Sequence, residues 1–131
     1  MSKTVPCPVT YWPGSVTLIT PAPYPVVREW RRAVRAGVEY LDKCKAEAEA
    51  KKGTPLEDGD SYSYEEFEYN ACYIPGILAF VEKWELGGDF PKAVNAETFP
   101  AQPLKAADEL VQWLIAEIGK TFSESESVPN A

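Results

Sequence analysis

The sequence predicts a mainly α protein: a small helical domain of three to four helices behind a proline-rich extended N-terminal arm, with room for one short strand. Three observations carry this. Prolines crowd the first 25 residues, three later segments repeat apolar residues at helical spacing, and a Ser-x-x-Glu start signal precedes the second of them. The 131 residues divide into an arm at 1–24, a helical domain at 25–122 and a flexible C-terminal tail at 123–131.

The arm holds Pro6, Pro8, Pro13, Pro21, Pro23 and Pro25. Proline lacks an N–H and fixes its own φ, which excludes a helix and a central strand here. Between the prolines, Ser15–Thr20 is β-branched and follows a Pro13-Gly14 turn, so it can form one short strand. The sequence offers it no evident partner strand. It either packs along its own domain or adds to the sheet edge of another protein.

The first helix is expected from about Pro25 to Lys52. Pro25 suits a first helical turn. Trp30, Val34, Val38 and Leu41 make the core stripe, with Ala33 and Gly37 beside them and Cys44 and Ala48 extending it. Lys51 and Lys52 favour the negative end of the helix dipole, and Gly53 is a natural stop. A loop with turns at Thr54-Pro55 and Asp58-Gly59-Asp60 follows.

The second helix starts at a capping box, Ser63 to Glu66, and presents Phe67, Ala71, Ile74, Leu78 and Val81 on one face. Ile77, Phe80 and Trp84 lie off that face, so apolar residues cover much of the surface. Pro75-Gly76 predicts a break or strong kink. Residues 86–102 form a long connection pinned by Phe90 and Phe99. The third helix, from Pro103 to about Phe122, carries Leu104, Ala107, Val111, Leu114, Ile118 and Phe122, broadened by Leu110 and Ile115.

The composition argues against catalysis. No histidine is present, which removes the commonest general base and metal ligand. Cys7, Cys44 and Cys72 are odd in number and widely spaced, without a CxxC pair, as expected of idle thiols in a reducing compartment. The acidic run Glu57, Asp58, Asp60, Glu65, Glu66, Glu68 fails as a calcium loop. Counted from Asp58, the fifth and sixth positions are Tyr62 and Ser63, and the twelfth is Tyr69. No enzyme activity, cofactor or metal is expected.

The net charge is −7 and the pI about 4.6, which disfavours nucleic acid and anionic membranes as partners. No apolar run reaches the length of a membrane span, and MSKTVPCPVT lacks the apolar stretch of a signal peptide, so a cytoplasmic location is expected. The charge is also uneven. Residues 28–52 hold eight basic and five acidic residues, while residues 53–90 hold one basic and nine acidic. Arg28, Arg31, Arg32 and Arg35 are expected to pair with the acidic segment of the same or a neighbouring subunit, which would aid self-association.

Several stretches carry a family resemblance: Tyr11–Leu18 (YWPGSVTL), Val27–Val34 (VREWRRAV), Ile74–Leu86 (IPGILAFVEKWEL), Leu110–Ile118 (LVQWLIAEI) and the final Val128-Pro129-Asn130. Together they resemble the small tail assembly chaperones of tailed bacteriophages. The resemblance implies an acidic, helical, cytoplasmic, non-enzymatic protein that coats the tape measure protein while the tail tube is built. It supplies no motif from which binding residues carry over. The residues themselves suggest an apolar groove of Phe80, Trp84 and Trp113, rimmed by Glu65, Glu68, Glu82 and Glu85, that would hold a basic amphipathic client helix. The alternatives are a structural tail completion or connector protein of the virion, and a small acidic regulatory adaptor.

Overall fold

The N-terminal arm folds into a β-hairpin. Ser2–Pro6 (β1) and Gly14–Ile19 (β2) pair antiparallel, with Val5 opposite Val16, and the Cys7 N–H donates to the Gly14 carbonyl at 2.9 Å to close the pair. The prolines permit this because of where they sit. Pro6 ends β1, Pro8 and Pro13 lie in the connection, and neither strand carries one in its interior. The connection is itself anchored, because Val9 and Trp12 point into the core. The structure is a computed structural model and describes residues 2–57, 59–92, 94–95, 97–99 and 104–126.

The expected lone strand is therefore the centre of a sheet. On its other side β2 pairs antiparallel with Val81–Leu86 (β3), in the order β1-β2-β3. The fold is mixed α/β, with three helices and a three-stranded antiparallel sheet, which corrects the mainly α expectation. The register explains why β3 reads as helix. Leu18 faces Val81 and Thr17 faces Lys83, so Glu82 is an extra, bulged residue. The bulge puts Val81 and Trp84 on the same sheet face at a spacing of three, which a helix would also give. Beyond the bulge the strand alternates normally, with Trp84 and Leu86 half-buried and Glu85 exposed.

Tyr24–Lys52 (α1) has the expected bounds, with Pro25 in its first turn. Gly53 closes it in the left-handed conformation at φ 84°, donating its N–H to the Glu49 carbonyl. Its buried face is Trp30, Ala33 and Gly37, while Val34 and Val38 stand in solvent. The core stripe is rotated from the one predicted.

Glu66–Phe80 (α2) runs unbroken through Pro75, contrary to the expected break. Pro75 is on the exposed side, and Gly76 is buried against α1. Here too the core face is rotated: Asn70, Tyr73, Ile74, Ile77 and Phe80 are buried, while Phe67 is half exposed. No capping box forms. The helix starts after Glu65, which makes no side-chain cap, and the Glu65 N–H instead donates to the Tyr40 hydroxyl at 2.9 Å.

Leu104–Glu126 (α3) runs four residues beyond Phe122, into the segment expected as tail. Its buried face is Ala106, Leu110, Val111, Leu114 and Ile118. The predicted start at Pro103, Asp58 of the expected turn and the tail end at 127–131 lie outside the described residues. α2 packs between α1 and α3. Phe90 and Phe99 do pin the described part of the connection after β3: Phe90 stacks on Trp84 and meets the edge of Trp12, and Phe99 is buried. One core joins the inner sheet face to all three helices.

Candidate functional site

The predicted groove does not assemble. Phe80 is fully buried, its ring against Trp30 in the α1–α2 interface, and reaches no client. Trp84 is half-buried on the inner sheet face, stacked on Phe90 at 5.5 Å and edge-on to Phe99 at 5.8 Å. Trp113 is half-buried against the core from α3. The four glutamates also separate. Glu65 and Glu68 stand at the start of α2 and Glu82 and Glu85 follow its end, on the order of 20 Å away at 1.5 Å per residue. Glu82 accepts a hydrogen bond from the Ser2 hydroxyl, and Glu85 lies near Lys83 at 3.7 Å.

Glu65 and Glu68 belong instead to a cleft of about 220 Å³ between the middle of α1 and the start of α2. Tyr40, Lys43, Cys44 and Glu47 line it from α1, and Ser63, Tyr64, Glu65 and Glu68 from the other side. α1 is 29 residues long and α2 only 15, so α1 outruns its partner. The chain after Gly53 is tied back to this overhang by Leu56 N–H on the Glu49 carboxylate at 2.7 Å and by Lys52 on Asp60 at 3.1 Å.

Tyr40 is the cleft's central polar group. The Glu65 N–H at its oxygen favours the phenolate, but desolvation and hydrogen bonds with Cys44 and Glu68 outweigh it and push the phenol up to about 12. At neutral pH it is a neutral hydroxyl that ties the two helices together. Asp60 is held below its ordinary value by the Glu57 N–H and by Lys52. Burial pushes the Cys72 thiol up, and its Sγ donates to the Glu68 carbonyl at 3.3 Å. Burial likewise raises the Cys7 thiol. Raised thiols are poor nucleophiles.

At the lip of the cleft Tyr64 is 47% exposed, and Phe67, in the first turn of α2 but away from the cleft lining, is 50% exposed; Glu65, Glu66 and Glu68 beside them are exposed too. Tyr64 is the outer end of an aromatic series. It meets Tyr69 at 5.7 Å, Tyr69 meets Tyr73 at 5.3 Å, and Tyr73 meets Trp30 at 6.0 Å in the core. The exposed Tyr64 ring is thus backed by packed aromatic side chains. Sequence reasoning assigned Phe67 to the core and passed over Tyr40 and Tyr64. The signal for the aromatic series was the four-residue spacing of Tyr69 and Tyr73, which puts both on one helix face.

Among the described residues no group of three or more cysteine, aspartate or glutamate side chains could hold a metal ion. No described helix is long and apolar enough to cross a membrane. Compared with family models, curated proteins and solved structures, the chain matches none of them.

Proposed function

We propose that this chain is a non-enzymatic, cytoplasmic protein-binding factor that captures a basic, apolar helical segment at the start of α2. The observation that carries the reading is the pair Tyr64 and Phe67, about half exposed and ringed by Glu65, Glu66 and Glu68. Large aromatic rings supply contact area at little entropic cost, and the carboxylates select for lysine and arginine on the client. The overall charge of −7 favours the same kind of client. In keeping with the sequence resemblance, the client is the tape measure protein of a tailed phage, and the chain serves as its assembly chaperone.

Co-expression with tagged tape measure fragments tests this. Phe67→Ala and the paired charge reversal Glu65→Lys/Glu68→Lys should each reduce the captured fraction severalfold, with unaltered circular dichroism. Capture that is unchanged in both variants would remove this surface from consideration. The chaperone role further requires that the chain be missing from purified particles, whereas a virion component would be found there by mass spectrometry.

A further inference from the structure

We propose that α1 also pairs with α1 of a second copy, antiparallel and about a two-fold axis, through a stripe centred on Val34 and Val38. At roughly 100° per residue, Val27, Val34, Val38 and Leu41 fall in one narrow line along the helix, about a quarter turn from the buried Trp30–Ala33–Gly37 face. Val34 is 37% exposed and Val38 52% exposed, while Val27 and Leu41 are half-buried. This line is the better apolar periodicity of α1, yet the fold does not cover it.

The charges beside the line say what covers it. Arg31 and Arg35 lie on one flank before its midpoint, and Asp42 lies on the same flank after it. In a two-fold antiparallel pair each flank meets the same flank of the other helix, running in reverse. An axis level with the Ala36–Gly37 step then brings Arg31 level with Asp42 of the second copy, twice by symmetry. The same register puts Val34 within one residue of Val38 of the second copy. In a parallel pair opposite flanks meet, so Arg31 would not face Asp42 of the second copy. At this register the Arg31 and Asp42 charges beside the stripe are complementary to those of its reversed copy. The Arg31 guanidinium rests 5.6 Å from the centre of the Phe122 ring of its own chain, so pairing with Asp42 of a second copy exchanges its contacts. This interface is separate from the Tyr64–Phe67 patch, so either can hold without the other.

Sedimentation equilibrium over a concentration series tests the pairing. The native chain should pass from the mass of one chain to that of two. Val34→Glu/Val38→Glu should weaken association by about tenfold or more, through loss of apolar contact, with unchanged circular dichroism. Arg31→Asp and Asp42→Arg should each associate more weakly alone, because each sets like charges together in its own pair. Mixed in equal amounts, they should recover the two-chain mass, since only the mixed pair restores both Arg–Asp contacts. A native chain that stays monomeric throughout would overturn the proposal, as would a dimer indifferent to Val34→Glu/Val38→Glu. Folded charge variants that fail to associate on mixing would exclude this register.

Discussion

Gly76 sits directly on Ala33: a Cβ built at Gly76 would stand 2.7 Å from the Ala33 Cβ and 3.0 Å from the Trp30 ring. One turn further along α1 the roles reverse, and a Cβ at Gly37 would stand 2.6 Å from the Tyr73 hydroxyl. The two helices thus approach through small residues, which lets Trp30, Tyr73 and Phe80 interlock around the contact. Gly76→Ala must push α1 away or distort α2. Its gain in helix propensity, about 1 kcal/mol, should be outweighed by overpacking of about 1–3 kcal/mol. Urea unfolding should show a lower midpoint with an unchanged slope.

Asn70 is the polar residue that joins α2 to α3 inside the fold. It is buried, donates from Nδ2 to the Asp108 carboxylate at 2.9 Å, and accepts from Gln112 Nε2 at 3.3 Å. Asn70→Ala leaves both partners short of a bond and should cost about 1–3 kcal/mol. Asn70→Asp should be at least as damaging, because it sets a second carboxylate against Asp108. Thermal and urea melts of the two variants, compared with Asp108→Asn/Asn70→Asp, separate lost bonding from charge repulsion.

The parts of the fold that the sequence made legible are those where local chemistry decides. Pro25 and Gly53 bracket α1 because a missing N–H and a left-handed residue act within one turn. Phe90 and Phe99 anchor their loop because nothing else in it is large and apolar. Misreadings arose where two patterns share a spacing. Val81 and Trp84 at i, i+3 fit a helix face, and only the Glu82 bulge, a matter of pairing with β2, makes them strand. Val34 and Val38 fit a core stripe better than Ala33 and Gly37 do, but helix packing here selects the small residues. That same preference leaves Val34, Val38 and Phe67 outside, so the surfaces proposed for binding were hidden in the sequence as apparent core. Tyr40 and Glu65 meet only after α1 and α2 fold back on each other, and no local signal foretells that contact.

Alkaline titration should expose the desolvation of Tyr40 and its hydrogen bonds with Cys44 and Glu68, which favour the neutral phenol. Its folded-state value, about 12, lies above the ordinary 10.0, so the folded form holds the proton more tightly. The associated stability is complete below about pH 10 and is lost as pH rises toward 12. Tyr73 is shifted in the same direction, chiefly by burial and then by its hydrogen bond with Tyr69. The tyrosinate absorbance that Tyr40→Phe and Tyr73→Phe remove should therefore rise late, in step with loss of helix signal. Tyr40→Phe should remove part of that pH dependence and speed amide exchange at Glu65, whose N–H loses its acceptor. An unchanged exchange rate there would mean that the bond does not hold the start of α2.

Thiol labelling should separate the cysteines from those of a redox or catalytic protein. Burial raises the thiols of both Cys7 and Cys72, so little thiolate is present at neutral pH. Both should react with a neutral alkylating reagent more slowly than an unfolded control, and the rates should converge in denaturant. Either site labelling as fast as the control in the folded chain would contradict its burial.

Trp12 fastens the hairpin to the far end of the chain's sheet. It is fully buried, edge-on to Phe90 at 5.1 Å, and its Nε1–H donates to Asp89 at 3.0 Å. Because Asp89 follows β3, this one side chain links the β1–β2 connection to the β3 exit. Trp12→Ala should cost about 3–5 kcal/mol through the cavity alone. Trp12→Phe keeps much of the apolar volume and forfeits the donor, while Asp89→Ala forfeits the acceptor. Asp89 is exposed, so water competes for its carboxylate, and the coupling between the two in a double-mutant cycle should be about 1 kcal/mol. A coupling near zero would mean that Trp12 holds the sheet end by packing alone, and the indole N–H would then be satisfied equally well by solvent.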